Sequence, residues 1–192
     1  MSTAEKDLEM RIEAKVREVL EKRLDTLISE KLQAMEKKKK NRIAIIASKG
    51  TLDMAYPPLI LATTAVAMDM EAGIFFTFYG LDIIHKKKFE HLKVPSLANP
   101  AMPVPIPNII GMLPGMTAMA TLMMKSWMAG VNVATIPQLL EIAKDSGVTM
   151  IGCQMTMDVM GVKRENLLDG IEVGGAATFL EYASHAGITV FV

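Results

Sequence analysis

The chain has 192 residues, 21 basic and 21 acidic side chains, three histidines and one cysteine. That length suffices for one domain with a real core plus an appendage, and the even charge leaves no whole-chain field to attract nucleic acid. A lone cysteine excludes an internal disulfide, and no charged-then-apolar leader with a small-residue cleavage site opens the chain, so a reducing, cytoplasmic compartment is expected.

Residues 4–36 contain no Gly or Pro, and Leu8, Ile12, Val16, Val19, Leu20, Leu24, Leu27, Ile28, Leu32 and Met35 recur at three- and four-residue steps among charged side chains. This spacing predicts an amphipathic helix. A stripe of that kind needs a partner, either its own domain or the same helix of another subunit, and self-association is the favoured reading. Lys37 to Lys40 form a like-charge run that marks a solvated junction, with an anionic membrane surface or acidic partner as the sharper alternative. Residues 1–40 are therefore set apart from a domain at 41–192.

From Asn41 onward, short apolar strands alternate with helices. Ile43–Ala47 reads as a buried strand, Ser48–Asp53 as a turn, Tyr56–Met70 as a helix with prolines in its first turn, and Ile74–Phe78 as the next strand. Ile136–Ser146 follows Thr135 as a capped helix, Val148–Gly152 is a strand, Gly175–Ala186 a helix and Ile188–Val192 a final strand. The alternation predicts an α/β fold, three layers with a mostly parallel sheet of about five strands covered on both faces.

Val94 to Met124 carries no charge; prolines punctuate its first half and methionines its second. The prolines and glycines break any helix that would satisfy its backbone across a bilayer, so the first half reads as an ordered loop. Met112–Met128 is expected to be a helix whose apolar surface lines a pocket or oligomer interface near the cysteine edge, or touches a membrane surface without crossing it. Seventeen methionines against six phenylalanines suit irregular packing or an adaptable contact surface.

Cys153 stands where a short apolar strand gives way to a helix, in Met150-Ile151-Gly152-Cys153-Gln154-Met155-Thr156-Met157-Asp158. Open α/β sheets keep their ligand sites on that edge, and N–H groups at a helix start favour a thiolate. Thiol chemistry is weighed against the plainer role of a small buried hydrophobe. In a helix after Cys153, residues 153, 156 and 157 share one face while Asp158 points away to solvent or a cap. Cys153, Met155 and Met157 would suit Cu(I), although packing is the favoured account of such methionines; His85, His91 and His185 lack zinc-ligand spacing, and no metal or cofactor is expected. Ser48-Lys49-Gly50-Thr51-Leu52-Asp53 offers N–H groups and a lysine to an anion but matches neither phosphate-loop fingerprint, and Gly174-Gly175 permits close backbone approach at a helix start.

Several stretches together carry a resemblance: Ala44 to Asp53, Phe75 to Leu81, Asn99 to Pro103, Gly111 to Gly115, Cys153 to Gly161 and Gly170 to Ala177. With Cys153 after its strand, residues 41–192 resemble the DsrE/DsrF/DsrH-like family, in particular its larger DsrE-like sulfurtransferases. The resemblance implies a parallel α/β sheet, a homo-oligomer, and a sulfane-sulfur carrier that holds a persulfide or thiosulfonate on Cys153. It implies TusA-like or rhodanese-like proteins as sulfur-transfer partners. Lys49, Thr51, Gly174 and Gly175 are candidates to bind an anionic donor. Peroxidase activity is not expected, since no Pro-x-x-x-Thr pattern accompanies the cysteine. The alternative function is a non-enzymatic oligomeric binding module with an incidental cysteine, in peripheral contact with a membrane.

Overall fold

A computed structural model describes residues 3–95 and 113–192, with the side chains of 10–35 in the first helix. The chain forms two compact units, Met1–Lys40 and Asn41–Val192. The first is a single helix, α1 (Thr3–Lys40), of 38 residues. At 1.5 Å per residue it extends about 57 Å. Its large apolar side chains from Met10 to Met35 are 48–68 % exposed. Local pairs such as Lys15–Glu18 at 3.0 Å contribute only a few tenths of a kcal/mol each.

The second unit holds five parallel strands in the order β4-β3-β2-β1-β5: β1 (Arg42–Ala47), β2 (Glu71–Phe76), β3 (Thr149–Cys153), β4 (Glu172–Gly174) and β5 (Ile188–Phe191). Strands buried on both faces read as continuous apolar runs, as β1 does in Ile43-Ala44-Ile45-Ile46-Ala47. One face meets α2 (Leu52–Ala67) and α4 (Ile136–Asp145) through a core that includes Ile45, Ile74, Phe76, Leu59 and Leu140. On the other face Ala44, Phe75, Ile151 and Cys153 pack with Phe179 of α6 (Ala176–Ser184). The sheet thus has helices on both sides.

Helix α2 starts four residues earlier than the sequence suggests. Pro57 and Pro58 lie inside it rather than in its first turn, where each forfeits a backbone donor. Burial of Leu52, Ala55 and Tyr56 in the core offsets that loss, and Ala55 N closes the first turn on Thr51 O at 3.0 Å. Helix α4 starts at the expected Thr135 cap, which forms a capping box with Gln138, the two bonded reciprocally. Strand β2 ends at Phe76, two residues short of expectation, because Phe78–Ile84 winds into a 3-10 turn.

Helix α3 (Met116–Gly130) directs Ala120, Met124 and Met128 into the core shared with α2 and α4, and leaves Met119, Leu122 and Trp127 exposed. Thr121 fastens it: its hydroxyl donates to Thr117 O at 2.7 Å and accepts from Val94 N at 3.2 Å. Within the chain its inward side chains serve the sheet face opposite Cys153. Most of the loop expected between Val94 and Met112, with the stretches Asn99–Pro103 and Gly111–Met112, lies outside the described residues. Among the described residues no helix is long and apolar enough to cross a membrane.

Candidate functional site at the carboxyl edge

Cys153 is the last residue of β3 and the residue before α5 (Gln154–Met160). Alternation along the strand sends its side chain to the same face as Ile151, where it packs with Phe75 and Phe179 and is only 3 % exposed. The two phenylalanine rings stack with centroids 4.9 Å apart. Cys153 makes no cap bond to α5, and α5 has seven residues, so the support expected from that helix start is weaker than the sequence suggests.

The neighbouring backbone supplies more. Cys153 pairs with Gly174 across β3 and β4, and Gly175 starts α6 without any side-chain cap. The first-turn N–H groups of a helix have no intrahelical acceptor, so these donors begin one residue beyond the register partner of Cys153. Gly174 also owes its identity to packing: a Cβ there would sit 3.1 Å from Thr178 Cβ.

On the other flank, β2 lies against β3, with Phe76 opposite Gly152. Thr77 follows with extended backbone (φ −130, ψ 160), and the same register carried on by one residue sets it opposite Cys153, on the same face. Its hydroxyl lies 3.0 Å from that of Thr156 in α5, and Phe78 N donates to Thr156 Oγ1 at 3.3 Å. Both threonines are buried, at 8 % and 2 % exposure. Phe78 has φ +47, a region that bulky residues rarely adopt. Sequence reasoning passed over Thr77 and Phe78; the one available signal was the shared helical face of residues 153 and 156.

Lys49 is exposed on the turn after β1. Thr51 lines a cleft of about 400 Å³ with Lys87, Lys88, His91 and Lys93, and Cys153 is not among its lining residues. The β1–α2 turn follows a strand two positions from β3 in the sheet. The structure therefore sets Gly174 and Gly175 beside the cysteine and Lys49 and Thr51 on a turn two strands away. His85 lies outside this group; burial, with Lys88 nearby, holds its imidazole below the usual histidine range.

The sulfurs of Cys153, Met155 and Met157 do not converge: Cys153 joins the core beside α6, Met157 the opposite core, and Met155 is 63 % exposed. Asp158 accepts from Gln154 Nε2 at 2.7 Å on the outer face of α5. Among the described residues, no group of three or more His, Cys, Asp or Glu side chains is placed to hold a metal ion.

A curated relative from Allochromatium vinosum, named sulfur carrier protein DsrE2, is 45 % identical over 164 residues, covering 82 % of this chain and all of that protein. The uncharacterized protein YrkE of Bacillus subtilis is 32 % identical over 154 residues, covering 79 % of this chain and 96 % of its own length. Among solved structures, the ychN protein from E. coli aligns with a TM-score of 0.44 and 14 % identity, over 79 % of this chain and 99 % of that one. The family profile described as DsrE/DsrF/DrsH-like matches residues 39–191, and the chain belongs to that family.

Proposed function

We propose that this protein is a sulfane-sulfur carrier in which Cys153 holds the sulfur. The Cys153 thiolate attacks the sulfane sulfur of a donor; a new S–S bond forms and the donor's S–S bond breaks, its electron pair leaving with the remainder of the donor. An acceptor thiolate then attacks the outer sulfur and returns Cys153 as a thiolate. The observation that carries this reading is the position of the chain's one cysteine. It ends a central strand at the carboxyl edge, walled by Phe75 and Phe179 and flanked by the uncapped start of α6. The name of the relative from Allochromatium vinosum supports the same reading.

In this reading the apolar wall shields the outer sulfur from water, and the Gly174–Gly175 turn receives negative charge on a persulfide or thiosulfonate. Lys49 and Thr51, on the turn two strands away, attract an anionic donor on approach. TusA-like or rhodanese-like proteins are the proposed acceptors. Intact mass after incubation with polysulfide or thiosulfate tests the proposal. The expected result is a reducible adduct that is absent from Cys153→Ser; no such adduct would leave the alternative of a binding module with an incidental cysteine.

The exposed stripe of α1 supports self-association as a second element of the proposal. Removal of residues 1–40 is expected to lower the solution mass beyond the mass of the deleted segments, as measured by light scattering. Monomers of both forms would refute it, and solubility only in detergent would favour membrane contact.

A further inference from the structure

The Thr77–Thr156 pair has more hydrogen-bond donors than its surroundings use. Each hydroxyl carries one proton and two acceptor lone pairs. The 3.0 Å contact between the two oxygens consumes one proton, whichever side donates. The remaining lone-pair traffic is inbound, since Phe78 N donates to Thr156 Oγ1. One hydroxyl proton is therefore left over, and among the described residues no acceptor outside the pair receives it. Both residues are more than nine-tenths buried, and a buried donor without an acceptor is unfavourable.

The position of that spare proton is informative. Thr77 continues the β2 row beside Cys153 and on the same sheet face, while Thr156 lies three residues after Cys153 on α5. Neither hydroxyl makes a hydrogen bond to the Cys153 sulfur itself. In the carrier reading, a sulfur held one bond out from Cys153 adds an acceptor beside the pair.

We propose that the buried Thr77–Thr156 hydroxyl pair donates its unused proton to the outer sulfur carried on Cys153, and so stabilises the loaded form. The assignment rests on the carrier reading and names the side chains that recognise its cargo. Loading by polysulfide balances as Cys–S⁻ plus a polysulfide dianion giving Cys–S–S⁻ plus the dianion shortened by one sulfur; no external oxidant or reductant enters. The negative charge moves from the cysteine sulfur to the outer sulfur, and there the hydroxyl meets it. Thr156 then bridges the two flanks of the site, because its oxygen still accepts from Phe78 N while the pair donates outward.

The test is the loading equilibrium, read by intact mass as the ratio of polysulfide to its shortened product is varied. Thr77→Val and Thr156→Val keep the shape and remove the hydroxyl. Each is expected to need a ratio about tenfold higher for half-loading, the size of a hydrogen bond to a charged group. Thr156→Ser, which restores the hydroxyl, is expected to return to the parent value; a role in packing alone would not predict that rescue. A parent protein that never loads removes the carrier reading itself. A parent that loads, with valine variants that load at the same ratio, removes only the hydroxyl assignment. Should the valine variants fail to fold, the unmodified chain still decides: the Thr77 and Thr156 methyl resonances are expected to shift on loading, and unmoved resonances overturn the proposal.

Discussion

Gly80→Ala tests how tightly the loops at the carboxyl edge are pressed together. Gly80 lies in the 3-10 turn after β2, and a Cβ added there would overlap the carbonyl oxygen of Ala47 and lie 2.8 Å from its carbon. Both are backbone atoms at the end of β1, so no side-chain rotation relieves the overlap. The same Ala47 oxygen accepts from Thr77 N at 3.0 Å, and separating the loops strains that bond as well. Overpacking costs about 1–3 kcal/mol. An immovable neighbour and a weakened hydrogen bond place this case at about 3 kcal/mol. For a domain of this size each kcal/mol lowers Tm by about 2–4 °C, which gives a fall of about 6–12 °C. Thermal unfolding followed by circular dichroism measures it, with Gly130→Ala as the control. Gly130 is the last residue of α3 and has nothing within 4 Å of an added Cβ, so its Tm is expected to hold or rise slightly. A Gly80→Ala melt within about 1 °C of the parent would show that the loops separate at no cost, and would refute the rigid edge on which the site's geometry depends.

Two further substitutions probe the face that holds the cysteine. The Tyr182 hydroxyl is buried without a partner, so Tyr182→Phe is expected to raise stability by about 1 kcal/mol at neutral pH, measured by urea unfolding. Burial pushes the Tyr182 phenol from 10.0 up to about 12, with Arg42 acting against the shift. Because the folded value is the higher one, stability is complete below pH 10 and is lost as pH rises through about 12. Tyr182→Phe should lack that alkaline loss, and an unchanged alkaline limb would contradict the assignment. Phe179→Ala removes the ring stacked on Phe75 and is expected to cost about 3–5 kcal/mol. It should also raise the rate of Cys153 alkylation by iodoacetamide under native conditions by about tenfold, reflecting entry to the thiol through local opening; equal labelling rates in parent and variant would show that Phe179 does not shield it.

Periodicity and local chemistry determined much of this protein. The apolar runs of β1 and β3 stand out because strands covered on both faces need no polar alternation. Thr135 announces the start of α4 because an N-cap is a contact between residues three apart. The same local logic located Cys153 at a strand-to-helix junction. Strand β4 was illegible, since its three residues, Glu172-Val173-Gly174, have no pattern of their own. It exists because β3 offers an edge that pairs Cys153 with Gly174. The start of α2 depended on burial outweighing two prolines, and the inward face of α3 on which sheet surface remained open to it. The hydroxyl contact joins residues separated by 79 positions. Only the tertiary structure decided it: hydrogen bonds between distant segments leave no periodic trace in the chain, and the parallel register of β2 on β3 is what sets Thr77 beside the cysteine.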